Sequence, residues 1–319
     1  MHRITRLFVL STFIAFHGCV TPGQEQPPVD PASTHKVLPF RIPAIKPGVA
    51  YERFIVIGDT GTGLPGQHKL ADAMAQRAKA DGLDFWLTTG DNIYPNGVKS
   101  ADDPQWKTKF ADVYADSSLR VPIYATLGNH DYRSNPQAQI EYGKRNKNWN
   151  MPAFHYTFTR TLSDGTKVQF FAIDTTPIVE EHADTKVQVA WLGKELAKSD
   201  ARWKIVFGHH PLYGHNPWRG HNEILIAKLE PLFVRYKVDI YFAGHDHALE
   251  MLKPVKGVNH VISGAGAGPE WAYPVKWTEE SFYVATLGGF TLCRISKDEL
   301  VIEFVRSNGK TQYAHTLTK

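Results

Sequence analysis

Five places along the chain put residues able to hold metal ions directly after a glycine: Gly58-Asp59, Gly90-Asp91, Gly128-Asn129-His130-Asp131, Gly208-His209-His210 and Gly244-His245-Asp246-His247. Each alone has an ordinary explanation. An Asp or Asn after a strand is commonly a turn or cap residue, and a single His is commonly a hydrogen-bonded core or surface residue. The joint occurrence carries the information. Carboxylates, an amide oxygen and imidazoles are donors that hard and borderline cations take, and together they suit two metal ions. Glycine lets the backbone turn sharply where a ligand must be aimed. With 15 His against 2 Cys, imidazole sites are favoured over thiolate sites.

Each of these glycines ends an apolar run. Residues 54–57, 85–89, 121–127, 204–207 and 238–243 are rich in β-branched and aromatic side chains and read as buried strands. So do 168–173, ending at Asp174, and 260–263, ending at Gly264. Residues 290–295 also read as a strand, with Cys293 as a small hydrophobe and no disulfide expected. Helical periodicity fills 67–80, 187–197 and 222–236. Alternating strands and helices argue for an α/β layered fold. Ligands in such folds sit outside the carboxyl ends of the strands, where the Asp, Asn and His residues fall.

Taken in order, the five motifs resemble those of the calcineurin-like metallophosphoesterases, and within them the purple acid phosphatases of the tartrate-resistant type. They span residues 58–247. Many members carry Asp-x-His in the first motif, with that His a metal ligand. Here Gly61 stands in the His position, and Tyr94, three residues after Asp91, matches the tyrosine that replaces it in purple acid phosphatases. The resemblance implies a four-layer α-β-β-α sandwich of two mixed sheets. It implies Fe(III) held by Asp59, Asp91, Tyr94 and His247, and a divalent ion (Fe, Zn or Mn) held by Asp91, Asn129, His209 and His245. Asp91 would bridge the two through its two oxygens.

The implied reaction is hydrolysis of a small phosphate monoester by a metal-bound hydroxide. His130, next to the ligand Asn129, is the expected leaving-group acid, with Asp131 orienting it. A second His outside the metal shell is expected after the fourth motif. His221 fits best, His215 is the runner-up, and His210 reads as a neighbour in the turn. Substrate choice lies in loops 98–109, 135–152 and 213–221, which the sequence does not decode. A phosphodiesterase or nucleotide pyrophosphatase on the same metal core stays open, as does a non-catalytic lipid-anchored binding protein.

Composition excludes global disorder, with 42% hydrophobic and 21% charged residues. The net charge of +4 includes Arg3 and Arg6 near the start and indicates no nucleic-acid partner. Leu7 to Phe16 is apolar apart from Ser11 and Thr12, too short for a bilayer span of about 20 residues. After a basic start it reads as an export signal, residues 1–18. Gly18-Cys19 resembles a bacterial lipoprotein cleavage site, so a lipid anchor at Cys19 and a periplasmic or cell-surface location are expected. An ordinary secretory signal with a chance Cys is the plainer alternative. Residues 19–50 hold seven of the 20 prolines and read as a tether. Residues 51–319 form the expected catalytic domain.

Overall fold

The computed structural model of the protein describes residues 39–272 and 274–319. The signal at 1–18, Cys19 and the tether up to residue 38 lie outside the described residues. Residues 39–50 have almost no regular structure, yet they are pinned to the body. The Pro43 carbonyl accepts from Arg294 at 2.7 Å, Lys46 pairs with Glu299 at 3.1 Å, and the Phe40 ring stands edge-on to Tyr313.

The first sheet starts with four parallel strands, β1 (Tyr51–Ile57), β2 (Phe85–Thr88), β3 (Ile123–Ala125) and β4 (Trp149–Asn150). The chain then builds a second sheet from β5 (Tyr156–Thr161), β6 (Lys167–Ala172), β7 (Trp203–Phe207), β8 (Ile240–Ala243), β9 (Leu249–Leu252), β10 (Asn259–Ser263) and β11 (Ser281–Ala285). It returns to the first sheet through β12 (Gly289–Ser296), β13 (Glu299–Arg306) and β14 (Thr311–Thr318). The spatial orders are β14-β13-β12-β1-β2-β3-β4 and β11-β9-β10-β8-β7-β6-β5. Both sheets are mixed: β12 is antiparallel to β1, while β6, β7, β8 and β10 run parallel.

Residue alternation along the second sheet divides its two faces. Phe170, Ile205, Phe207 and Phe242 point into the core shared with the first sheet, whereas Phe171, Val206, Tyr241 and Ala243 face the opposite side. Across the sheet interface, Phe54 meets Phe170 with ring centroids 5.7 Å apart, and Phe85 meets Phe170 at 5.4 Å. This is face-to-face sheet packing by interdigitated aromatics.

Helices cover the outer faces. α1 (Pro65–Asp81) buries Leu70, Ala71, Met74 and Ala78 in the same core as the first sheet. The short helices α2 (Gln137–Gly143) and α3 (Thr175–Val179) follow strands β3 and β6. α4 (Thr185–Lys198) and α5 (Glu223–Arg235) press Leu192, Leu196, Leu225, Leu229 and Phe233 onto the second sheet. α5 starts where the Asn222 side chain accepts from Leu225 N at 3.0 Å, a standard N-cap. The expected four-layer sandwich is therefore present. The expected strand over 121–127 is shorter, because the chain leaves the ladder after Ala125 to carry Asn129.

Candidate metal centre

All five motifs lie just beyond the carboxyl ends of parallel strands: β1, β2, β3, β7 and β8. Asp59, Asp91 and His245 adopt left-handed backbone conformations, with φ of 55°, 50° and 67°. Such a conformation costs a non-glycine residue roughly 1–2 kcal/mol, and strain of this kind concentrates at functional sites. The loops also press together. A Cβ on Gly128 would lie 2.2 Å from Asp91 Oδ1, and one on Gly244 would lie 2.5 Å from Asp59 Oδ2. Glycine is required at both positions for the acids to reach their places.

One oxygen of each acid is fixed by backbone. Asp59 Oδ2 accepts from His245 N at 2.8 Å, and Asp91 Oδ1 accepts from His130 N at 2.8 Å. The other oxygens converge. The Tyr94 hydroxyl lies 3.0 Å from Asp59 Oδ1, from Asp91 Oδ2 and from His247 Nε2. His247 Nε2 is 3.4 Å from Asp59 Oδ1. A second group adjoins the first. Asn129 Oδ1, His209 Nε2 and His245 Nδ1 lie 3.1 Å from one another, and His209 Nε2 is 3.4 Å from Asp91 Oδ2. Asp91 thus faces both groups through Oδ2 alone. Its Oδ1 is turned to the His130 N–H instead.

The ring tautomers show what the groups await. His209 Nδ1 faces the Thr89 carbonyl at 2.8 Å, and His247 Nδ1 faces the Trp271 carbonyl at 2.6 Å. Carbonyls only accept, so each Nδ1 carries a proton and each Nε2 points inward, where it can serve as a donor to a cation. Tyr94 has a single proton for three surrounding acceptors. Asn129 Oδ1 faces His209 Nε2. Oxygen and nitrogen atoms converge in both groups, and a cation in each would be satisfied by them together. The donor chemistry therefore fits two metal ions sharing Asp91. Without a cation, burial pushes the Asp91 carboxyl up, but His209 and His130 outweigh this and hold it below the usual range. Burial opposes charge on His209 too, yet Asp91 and Asp59 raise it to about 9. Burial, with Asp59 and Asp91 adding to it, pushes the Tyr94 phenol well up.

Residues 52–249 match the Calcineurin-like phosphoesterase family. The chain belongs to that family. It is 33% identical over 300 residues to tartrate-resistant acid phosphatase type 5 of Homo sapiens, covering 84% of this chain and 91% of that protein. It is 30% identical to purple acid phosphatase 4 of Arabidopsis thaliana, covering 83% of each. Among solved structures, GAP50, the anchor in the inner membrane complex of Plasmodium, is similar with a TM-score of 0.76 at 28% identity, covering 84% of this chain and 89% of that one.

Other expected site residues of this phosphoesterase fall in different places. His130 stacks edge-on to Tyr94 with centroids 4.6 Å apart, and its Nδ1 faces the Pro95 carbonyl at 2.6 Å. Burial lowers its pKa, partly offset by Asp91. Asp131 does not orient His130. It is fully buried and accepts from Gly128 N at 2.9 Å, Asn92 N at 3.1 Å and Gln139 Nε2 at 2.7 Å, tying the second and third motif loops together. Burial and the nearby Asp91 raise its carboxyl to about 7. His215 is held by Glu250 at 2.5 Å and Glu280 at 3.0 Å. His221 is exposed, and its Nδ1 accepts from Gly214 N at 3.3 Å.

His210 is buried beside the second donor group, its ring centroid 4.3 Å from that of His245. Thr175 Oγ1 accepts from the N–H groups of both His209 and His210, so its own proton goes to His210 Nδ1 at 2.9 Å. Sequence reasoning missed the two carbonyls of Thr89 and Trp271, because a backbone acceptor leaves no mark on residue type. It also missed Arg219, which donates Nη1 to the His245 carbonyl and to Asp246 Oδ1.

Proposed function

We infer that this phosphoesterase hydrolyses phosphate monoesters, as an acid phosphatase does, with two metal ions at the Asp91-centred site. The convergence of seven donor side chains on two adjoining positions, with Asp91 Oδ2 common to both, carries this reading. Asp59, Asp91, Tyr94 and His247 would hold Fe(III), whose hardness suits three oxygen donors. Asp91, Asn129, His209 and His245 would hold a divalent ion, Fe, Zn or Mn. Bound there, the pair supplies a hydroxide at moderate pH and offsets phosphate charge.

The protein's own groups do the rest. The backbone N–H groups of His245 and His130 hold the two acids in place. The Thr89 and Trp271 carbonyls keep the imidazole lone pairs aimed inward. His130, beside Tyr94 and outside the donor set, donates a proton to the departing oxygen. The complete donor set favours catalysis over a purely anchoring role of the kind named for GAP50. Hydrolysis of p-nitrophenyl phosphate and of bis(p-nitrophenyl) phosphate by the metal-loaded protein tests the assignment. The monoester should turn over far faster; a preference for the diester would replace the monoesterase with a phosphodiesterase on the same core.

Export with lipid attachment at Cys19 completes the proposal, supported by the basic start, the short apolar run and the Pro-rich stretch. Cys19→Ala should release the protein from membranes. Unchanged membrane association would rule out the anchor.

A further inference from the structure

Neither histidine expected beside the metal centre is turned to the donor set. His215 is engaged by two carboxylates, and only 9% of its side chain is exposed. His221 turns Nδ1 back to its own loop. Between them in sequence lies Arg219. Its Nη1 donates to the carbonyl of His245, and the same nitrogen lies 3.2 Å from Oδ1 of the fully buried Asp246. The guanidinium is thus pinned to the backbone of a residue whose side chain belongs to the donor set, and 35% of the Arg219 side chain is exposed. A cleft of about 350 Å³ opens here, lined by Arg219, His221, Glu223, His245 and Asp246 among others.

We propose that Arg219 binds the phosphoryl oxygens of the substrate from outside the metal shell, as a fixed positive charge rather than as a proton donor. This rests on the phosphatase reading. A guanidinium stays charged at every working pH and matches phosphate oxygens with several N–H donors. Its anchors hold its position before substrate arrives, so little ordering is left for binding. Arg219 and His245 both line this cleft. Arg219 therefore acts on the phosphate itself, and its contribution does not depend on how basic the leaving group is.

The test uses the metal-loaded full chain, Arg219→Ala and Arg219→Lys. It reads the Michaelis constant and turnover number on p-nitrophenyl phosphate and on an alkyl phosphate, competitive inhibition by inorganic phosphate, and metal content. Charge-assisted hydrogen bonds predict that Arg219→Ala weakens phosphate inhibition by about ten- to hundred-fold. Both metals should be retained, and the rate loss should be the same on the two substrates. Arg219→Lys should recover part of the phosphate affinity. Unchanged phosphate inhibition in Arg219→Ala with metals intact would overturn the proposal, as would loss of a metal ion or a loss confined to the alkyl phosphate. Calorimetric titration of inorganic phosphate into the metal-loaded proteins separates the two readings. An inactive wild-type protein would refute the phosphatase assignment, while the calorimetric comparison would still decide the role of Arg219.

Discussion

Gly61 and Tyr94 meet directly: Tyr94 N donates to the Gly61 carbonyl at 2.9 Å, across the short parallel bridge that joins Gly61 to Ile93. A Cβ on Gly61 would lie 2.0 Å from the Asn92 carbonyl oxygen. No side chain fits at 61, so no histidine could act there. The segment that excludes it is the one that delivers the Tyr94 hydroxyl to Asp59, Asp91 and His247. One backbone contact thus leaves no room for a side chain at 61 and sets Tyr94 beside Asp59 and Asp91.

Tyr94 should give the iron-loaded protein its colour. A phenol with an ordinary pKa of about 10 is buried among acceptors and becomes a phenolate only against a strong cation. Phenolate-to-Fe(III) charge transfer absorbs in the visible. Tyr94→Phe should abolish the band and weaken iron binding, as followed by visible spectroscopy and iron analysis. An unchanged band would remove Tyr94 from the iron shell.

His130→Ala should keep both metals. General-acid help is worth about 10²–10⁴-fold, and it matters most when the leaving alkoxide is basic. Alkyl phosphates should lose rate by about that factor, and p-nitrophenyl phosphate by much less. Equal losses on the two substrates would mean that His130 positions phosphate instead.

Asp131→Ala should act through the fold. Three donors would lose their buried acceptor, at a cost of about 2–4 kcal/mol. Thermal denaturation should show the loss, and the remaining activity should fall alike on alkyl and aryl substrates. A selective loss on alkyl phosphates with unchanged stability would restore Asp131 as the partner of His130.

His215 ties protein stability to pH. Burial opposes its charge, but Glu250 and Glu280 raise its pKa from an ordinary 6.5 to about 9. A group with a raised folded pKa stabilises fully below its unfolded pKa, and the contribution is lost as pH rises through the folded one. His215→Gln should therefore destabilise by about 2 kcal/mol near pH 5–6. The difference from wild type should fade between pH 6.5 and about 9. Melting curves across that range check it, and a difference that grows with pH would reverse the assignment.

Much of this architecture was legible in residue order. Short apolar runs such as Val168–Ile173, whose alternate residues enter two cores, and the Leu-rich face of α5 mark their elements directly. The glycine before each donor announced the strand ends, because close approach at Gly128 and Gly244 excludes any larger residue. The C-terminal meander of β13 and β14 carried no such chemical marker. Asp131 and Arg219 were misjudged or missed because their roles depend on partners distant in sequence. Asp131 binds Asn92 and Gln139, and Arg219 binds the carbonyl of His245. The approach of Asp91 to both donor groups through Oδ2 goes with the His130 N–H on Oδ1, which is backbone and invisible in residue type.

Metal analysis of purified wild-type protein beside Asp91→Ala and Asn129→Ala tests the central claim most directly. With Asp91 Oδ2 shared by both donor groups, wild type should carry two ions per chain and hydrolyse phosphate monoesters. Asn129→Ala should lose chiefly the divalent ion, and Asp91→Ala should lose both ions together with activity. An Asp91→Ala protein that still holds two ions, or a fully active wild-type protein that holds none after chelation, would contradict the account.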